Sequence, residues 1–99
     1  MTEQVLKNYQ KFVDQVTSEP SKNNEAFIAR IRELDAQGVD VARLLTGGIG
    51  LGSETGETQE IVKKIMFHGK PYNEENVFHL KRELGDILWY WINTCTALN

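Results

Sequence analysis

Leu80, Leu84, Ile87, Leu88, Trp91, Cys95 and Leu98 recur at steps of three and four residues. A helix gathers that spacing onto one face, so the end of the chain is predicted helical from roughly Glu74 to Ala97. Asn73 suits its N-cap, and Glu74 and Glu75 suit the positive end of its dipole. The same spacing recurs near the start, in Val5, Leu6, Tyr9, Phe12, Val13 and Val16. Pro20 is expected to stop that helix, with 17-TSEPSKNN-24 as a polar connector. Asn24 then caps a second, short helix with Phe27, Ile28, Ile31 and Leu34 on its buried side, and Gly38 falls just past its end. Asp40 caps a third segment that starts at Val41 and runs toward His68, where the cluster 68-HGKPYN-73 breaks it. No strand-like alternation of useful length interrupts the series. The expected fold class is all-α.

The 99 residues hold no internal repeat, low-complexity tract or long linker, and they read as one domain spanning 1–99. A lone domain of this size buries only roughly 60–65% of the surface its unfolded chain exposes, so self-association is an expected source of further burial. The formal net charge of −3 argues against a nucleic-acid polymer as partner, which would call for a basic stripe. Cys95 is the one cysteine; it reads as a small core residue in a reducing compartment. No apolar run approaches the ~18 residues of a membrane span, and MTEQVLKNYQ lacks the apolar core of a signal peptide. A soluble cytoplasmic protein is expected.

Five of the eight glycines, Gly47, Gly48, Gly50, Gly52 and Gly56, crowd into the third segment. Each one inside a helix costs about 1 kcal/mol relative to alanine. They do not make a phosphate loop: G-x-G-x-x-G fails at its last position from either start in 48-GIGLGSETG-56, and G-x-x-x-x-G-K-[ST] is absent. Read as a helix, the segment has two apolar faces, the pattern of a helix buried in a bundle. Val41, Leu44, Leu45, Val62 and Met66 lie on one, with Gly48 and Gly52 in its centre. Ile61 and Ile65 lie nearer the other, beside Glu54 and Glu57. Gly52 is therefore expected to pack against a helix, and Gly50, one turn before Glu54, to leave space for a ligand.

The chemistry resides in a pair of pairs. 54-ETGE-57 and 83-ELGD-86 each carry two carboxylates at i, i+3, on one face of a helix. The spacer between them suffices for half a helix, a turn and the start of an antiparallel helix. Four carboxylates would then meet in one cavity, where like charges repel unless protonated or neutralised. An oxygen-rich site of this kind suits Mg²⁺ or Mn²⁺, and such an ion keeps positions for water and phosphate oxygens, which favours hydrolysis of a phosphate anhydride. Lys63, Lys64 and Lys70 are candidates to neutralise phosphates, although solvated lysines are the ordinary reading. His68 and His79 read as surface histidines. Trp91 falls on the apolar stripe and reads as core. Tyr90, one turn beyond Asp86, is placed to orient a carboxylate or to touch a bound ligand.

The runs 50-GLGSETGETQEIVKK-64, 67-FHGK-70 and 82-RELGDILWY-90 resemble the MazG-like nucleoside triphosphate pyrophosphohydrolases, of the all-α superfamily that also holds dimeric dUTPases and phosphoribosyl-ATP pyrophosphatase. The resemblance covers about Asp40 to Ala97 and looks nearest to small phage and bacterial members. It implies Glu54, Glu57, Glu83 and Asp86 as metal ligands and catalytic residues. It also implies Mg²⁺, with Mn²⁺ as an alternative, and cleavage between the α- and β-phosphates to a monophosphate and pyrophosphate. Further implications are a homodimer or homotetramer with a four-helix bundle around each site, and a place in the host cytoplasm for a phage-encoded chain. Lys64, Lys70, Tyr90 and Gly50 are the expected substrate contacts. Longer relatives continue past the ELGD helix, whereas this chain stops at Asn99, as a minimal version or a fragment. Two alternatives stand beside this reading: a hydrolase of phosphoribosyl-ATP, and a non-catalytic helical oligomer that binds metal or nucleotide.

Overall fold

The computed structural model describes residues 2–99, and all of its regular structure is helical. The described chain forms two compact units that meet in sequence after Gly38. In the first, α1 (Glu3–Val16) begins where the Thr2 hydroxyl accepts from the Val5 amide, and it ends at Thr17, whose hydroxyl donates to the Val13 carbonyl at 2.6 Å. The expectation that Pro20 stops α1 needs correcting. Pro20 sits in the first turn of a short helix, α2 (Glu19–Lys22), where its missing N–H is harmless. α3 (Asn24–Ala36) is capped by Asn23, one residue earlier than expected, through a 2.9 Å bond from the Ala26 amide. Gly38, just past its end, takes the left-handed φ of +83° that suits glycine.

Among the described residues of this unit, α2 packs on α3 and neither packs on α1. Its apolar stripe is exposed along its length, with Tyr9 at 63%. On α3, Phe27 and Ile28 are also exposed, while Ile31 and Leu34 are half-buried. The first unit by itself therefore does not bury the expected sides of these two helices.

The second unit is a hairpin of α4 (Val41–Phe67) and α5 (Glu74–Leu98). Asp40 caps α4 by accepting from the Arg43 amide, and the same Arg43 reaches across to Asn93 Oδ1 at 2.9 Å. At the other end, the Lys64 carbonyl accepts from the amides of both His68 and Lys70. Gly69 between them has φ +74°, so the reversal depends on a residue without Cβ. Asn73 then caps α5 through the Asn76 amide, and Asn76 Nδ2 donates to the Pro71 carbonyl at 2.6 Å. The capping residues Asp40 and Asn73 and the starts of both helices are as expected.

α4 is unbroken through its five glycines. Gly47 and Gly50 are buried: a Cβ at Gly47 would strike Thr94, and one at Gly50 would strike the ring of Tyr90. A Cβ at Gly48, Gly52 or Gly56 would meet nothing within 4 Å. The close approach thus falls on Gly50 and not on Gly52, the reverse of the expectation. Of the two apolar faces of α4, the one carrying Ile61 meets α5, while the one carrying Leu45 and Val62 is exposed. Ile61, at 7% exposure, and Glu83, at 4%, are the side chains that this hairpin buries among the described residues. Trp91 is 53% exposed and not core; Leu84, Leu88 and Leu98 on its stripe are exposed as well.

Candidate active site

The inward stripe of α4 runs through Gly47, Gly50, Glu54, Thr58 and Ile61, at the three- and four-residue steps of one helix face. Facing it on α5 are Glu83, Ile87, Tyr90 and Thr94. Gly47 lies against Thr94, Gly50 against Tyr90, and Glu54 near Glu83, so numbers rise on one helix as they fall on the other. The helices are antiparallel, and the small inward residues let them close. That closure brings the carboxylates together.

Glu54, Glu57 and Glu83 each offer a carboxylate oxygen, and the three oxygens lie within 4.8 Å of one another. Glu54 is half-buried, Glu57 exposed and Glu83 buried. Asp86, one turn further along α5, is exposed and does not belong to this group. Oε2 of Glu54 and Oε2 of Glu83 are buried with no hydrogen-bond partner. Buried, unpaired carboxylates are costly unless they are protonated or bound to a cation. The group responds accordingly. A protonated Glu54 could donate to Glu83, and this, then burial and the charges of Glu57 and Glu83, pushes the Glu54 carboxyl up to about 7. Glu83 is held below the ordinary carboxylate range by Glu54, then Glu57, with help from His79. The orphaned oxygens and the all-carboxylate donor set fit a hard divalent cation.

His79 shares the side of α5 that carries Glu83, and the structure brings the two side chains together. His79 Nε2 lies 3.2 Å from Glu83 Oε1. The available signal was its i, i+4 spacing, which stacks the two side chains on one face.

The lysines lie at the far end of α4. Lys63, Lys64, His68, Lys70 and Glu60 line an open cavity of about 340 Å³. Glu60 holds Lys63 at 2.9 Å and Lys64 at 3.9 Å, and Lys63 first, then Lys64, lowers its carboxyl in return. Part of the positive charge is therefore already answered within the chain. Lys70 is half-buried at the turn. A second cavity of about 360 Å³ borders Tyr90 and includes Leu45, Thr46, Ile49, Gly50 and Ser53. Gly50 lines that cavity, and the space left by its absent side chain seats the Tyr90 ring. Trp89 meets Tyr90 edge-on, with centroids 4.9 Å apart.

An antiparallel helical hairpin with carboxylates clustered at its crossing defines an all-α acidic-site protein. Residues 50–99 match the model of the MazG nucleotide pyrophosphohydrolase domain, and the chain belongs to that family. No curated protein and no solved structure matches it. The match covers the last two thirds of α4, the turn and all of α5, and so every member of the carboxylate group.

Proposed function

We propose that this chain hydrolyses nucleoside triphosphates, (d)NTPs, between the α- and β-phosphates, releasing a nucleoside monophosphate and pyrophosphate. The observation that carries the reading is the pair of buried, partnerless oxygens on Glu54 and Glu83, inside a carboxylate group that the family match spans. Glu54, Glu57 and Glu83, with Asp86 from the next turn of α5, are the proposed catalytic residues and hold Mg²⁺ or Mn²⁺. When bound, such an ion supplies charge neutralisation at the phosphates and lowers the pKa of water. The carboxylates, drawn from both helices, would hold the ion, and Lys64 and Lys70 would draw the negative phosphates toward the turn. Gly50 and Tyr90 border the space offered to the rest of the nucleotide.

The working form we propose is a homodimer or homotetramer, in which a second hairpin completes a four-helix bundle. Exposed Leu84, Leu88 and Trp91 on α5 support this, because a solitary two-helix hairpin leaves them in water. No helix among the described residues is long and apolar enough to cross a membrane; we take the cytoplasm as the working compartment and the whole chain, 1–99, as one functional domain.

The test is pyrophosphate release from each common (d)NTP, and from phosphoribosyl-ATP, with Mg²⁺ or Mn²⁺ present. Release from triphosphates is expected. Activity on phosphoribosyl-ATP alone would reassign the substrate, and nucleotide binding without pyrophosphate release would make the chain a binding protein. Glu57→Gln should reduce turnover by more than ~100-fold, beyond the loss typical of an outer-shell change, and leave the helical circular-dichroism signal intact. Full activity in that variant would remove Glu57 from the site.

A further inference from the structure

We infer that His79 is the positioning residue of the carboxylate site: it grips one oxygen of Glu83 and leaves the other as the cation-binding atom. The inference rests on the metal-binding reading above and adds a residue that this reading does not use. Glu83 is the most buried charged side chain described, at 4% exposure. A carboxylate there can pivot about its last torsion, and a pivot would move both oxygens relative to Glu54 and Glu57. His79, one helical turn earlier, stops that pivot. Its Nε2 lies 3.2 Å from Oε1, near enough for an Nε2–H to donate to that oxygen. Oε2 is buried and has no partner.

The two oxygens of one carboxylate therefore have separate tasks. Oε1 is spent on orientation, and Oε2 is kept for the ion. Groups that hydrogen-bond a ligating carboxylate fix its direction and raise affinity without touching the ion. The imidazole is partly exposed, with 38% of its side-chain surface accessible, so its replacement leaves no sealed cavity.

The experiment measures Mn²⁺ binding to the full chain, without nucleotide, from the loss of the free-ion electron paramagnetic resonance signal. His79→Leu removes the donor. His79→Gln returns an N–H at nearly the reach of Nε2, and His79→Asn carries an amide too short to arrive. Leucine and asparagine should each weaken Mn²⁺ binding by about 10–100-fold, and glutamine should restore most of it. Circular dichroism of the metal-free variants checks folding. Should the leucine variant unfold, the glutamine–asparagine pair decides, since a merely structural role would not separate two polar amides by reach. Equal Mn²⁺ affinity in glutamine and asparagine variants, or wild-type affinity in a folded leucine variant, overturns the inference. Mn²⁺ binding that is lost in Glu57→Gln but indifferent to His79 sinks the inference alone. An absence of Mn²⁺ binding in the unmodified chain overturns the metal reading and this inference with it.

Discussion

Glu54 links the charge of the site to the stability of the fold. Its carboxyl is raised from an ordinary 4.5 to about 7. Between those values the folded chain binds more protons than the unfolded chain, so its stability is greatest below about 4.5 and declines as pH rises toward about 7. Glu83 shifts the other way, and its contribution is lost only as pH falls below the ordinary carboxylate value. The metal-free melting temperature should therefore fall as pH rises from about 4.5 to about 7, beyond the background set by other groups. Glu54→Gln should flatten that descent; melts of both proteins at matched ionic strength check it, and parallel descents would mean that Glu54 is not its source. The residues of this group stood out in the sequence as two i, i+3 pairs. Their burial did not, because a helical wheel gives direction around one axis and says nothing of how near a second helix comes. The place of His79 beside Glu83 was legible from helical spacing, but its i, i+4 contact acquires meaning only once Glu83 is known to be enclosed.

At the scale of the element, α4 shows why glycines in one helix differ in kind. Gly50→Ala gains about 1 kcal/mol of helix propensity but drives a methyl into the Tyr90 ring, so the ring must leave its seat or the helices must part. Overpacking of this sort typically costs about 1–3 kcal/mol, so the variant should melt lower. Gly52→Ala meets nothing within 4 Å and should melt higher by the propensity gain alone. Thermal melts of the two single variants decide it; a lowered melt for Gly52→Ala would mean that a second copy covers that face. The helix ends were legible because Asp40 and Asn73 act locally, through the amides three residues on. The face that meets α5 was not legible, because α4 has two apolar faces and composition does not say which one the same chain covers. Pro20 misled for a related reason: it is as compatible with a first turn as with an ending.

The whole molecule exposes much of what its apolar periodicity marks for burial. Tyr9 on α1, and Leu88 and Trp91 on α5, have more than half their surface in water. The all-α class and the four longer helices followed from periodicity and capping residues, while the short α2 was read as a connector; burial belongs to whatever surrounds the chain. If a second copy supplies that surface, as proposed, the melting temperature should rise with protein concentration by mass action. Leu88→Glu should suppress the dependence and shift sedimentation toward the monomer. A folded monomer at micromolar concentration, with a melt indifferent to dilution, would rule out obligate assembly.

The contact between Gly50 and Tyr90 also bears on how this sequence can drift. A methyl at one position is admissible only when the ring at the other has gone, so neither site samples substitutions independently. Lineages that acquire alanine at the first should already carry a smaller side chain at the second, and the order of the two replacements is constrained. In the laboratory the same history is a double-mutant cycle: Gly50→Ala should be harmful beside tyrosine and, beside Tyr90→Ala, stabilising by the propensity gain of about 1 kcal/mol, with a coupling energy of about 0.5–3 kcal/mol for residues in contact.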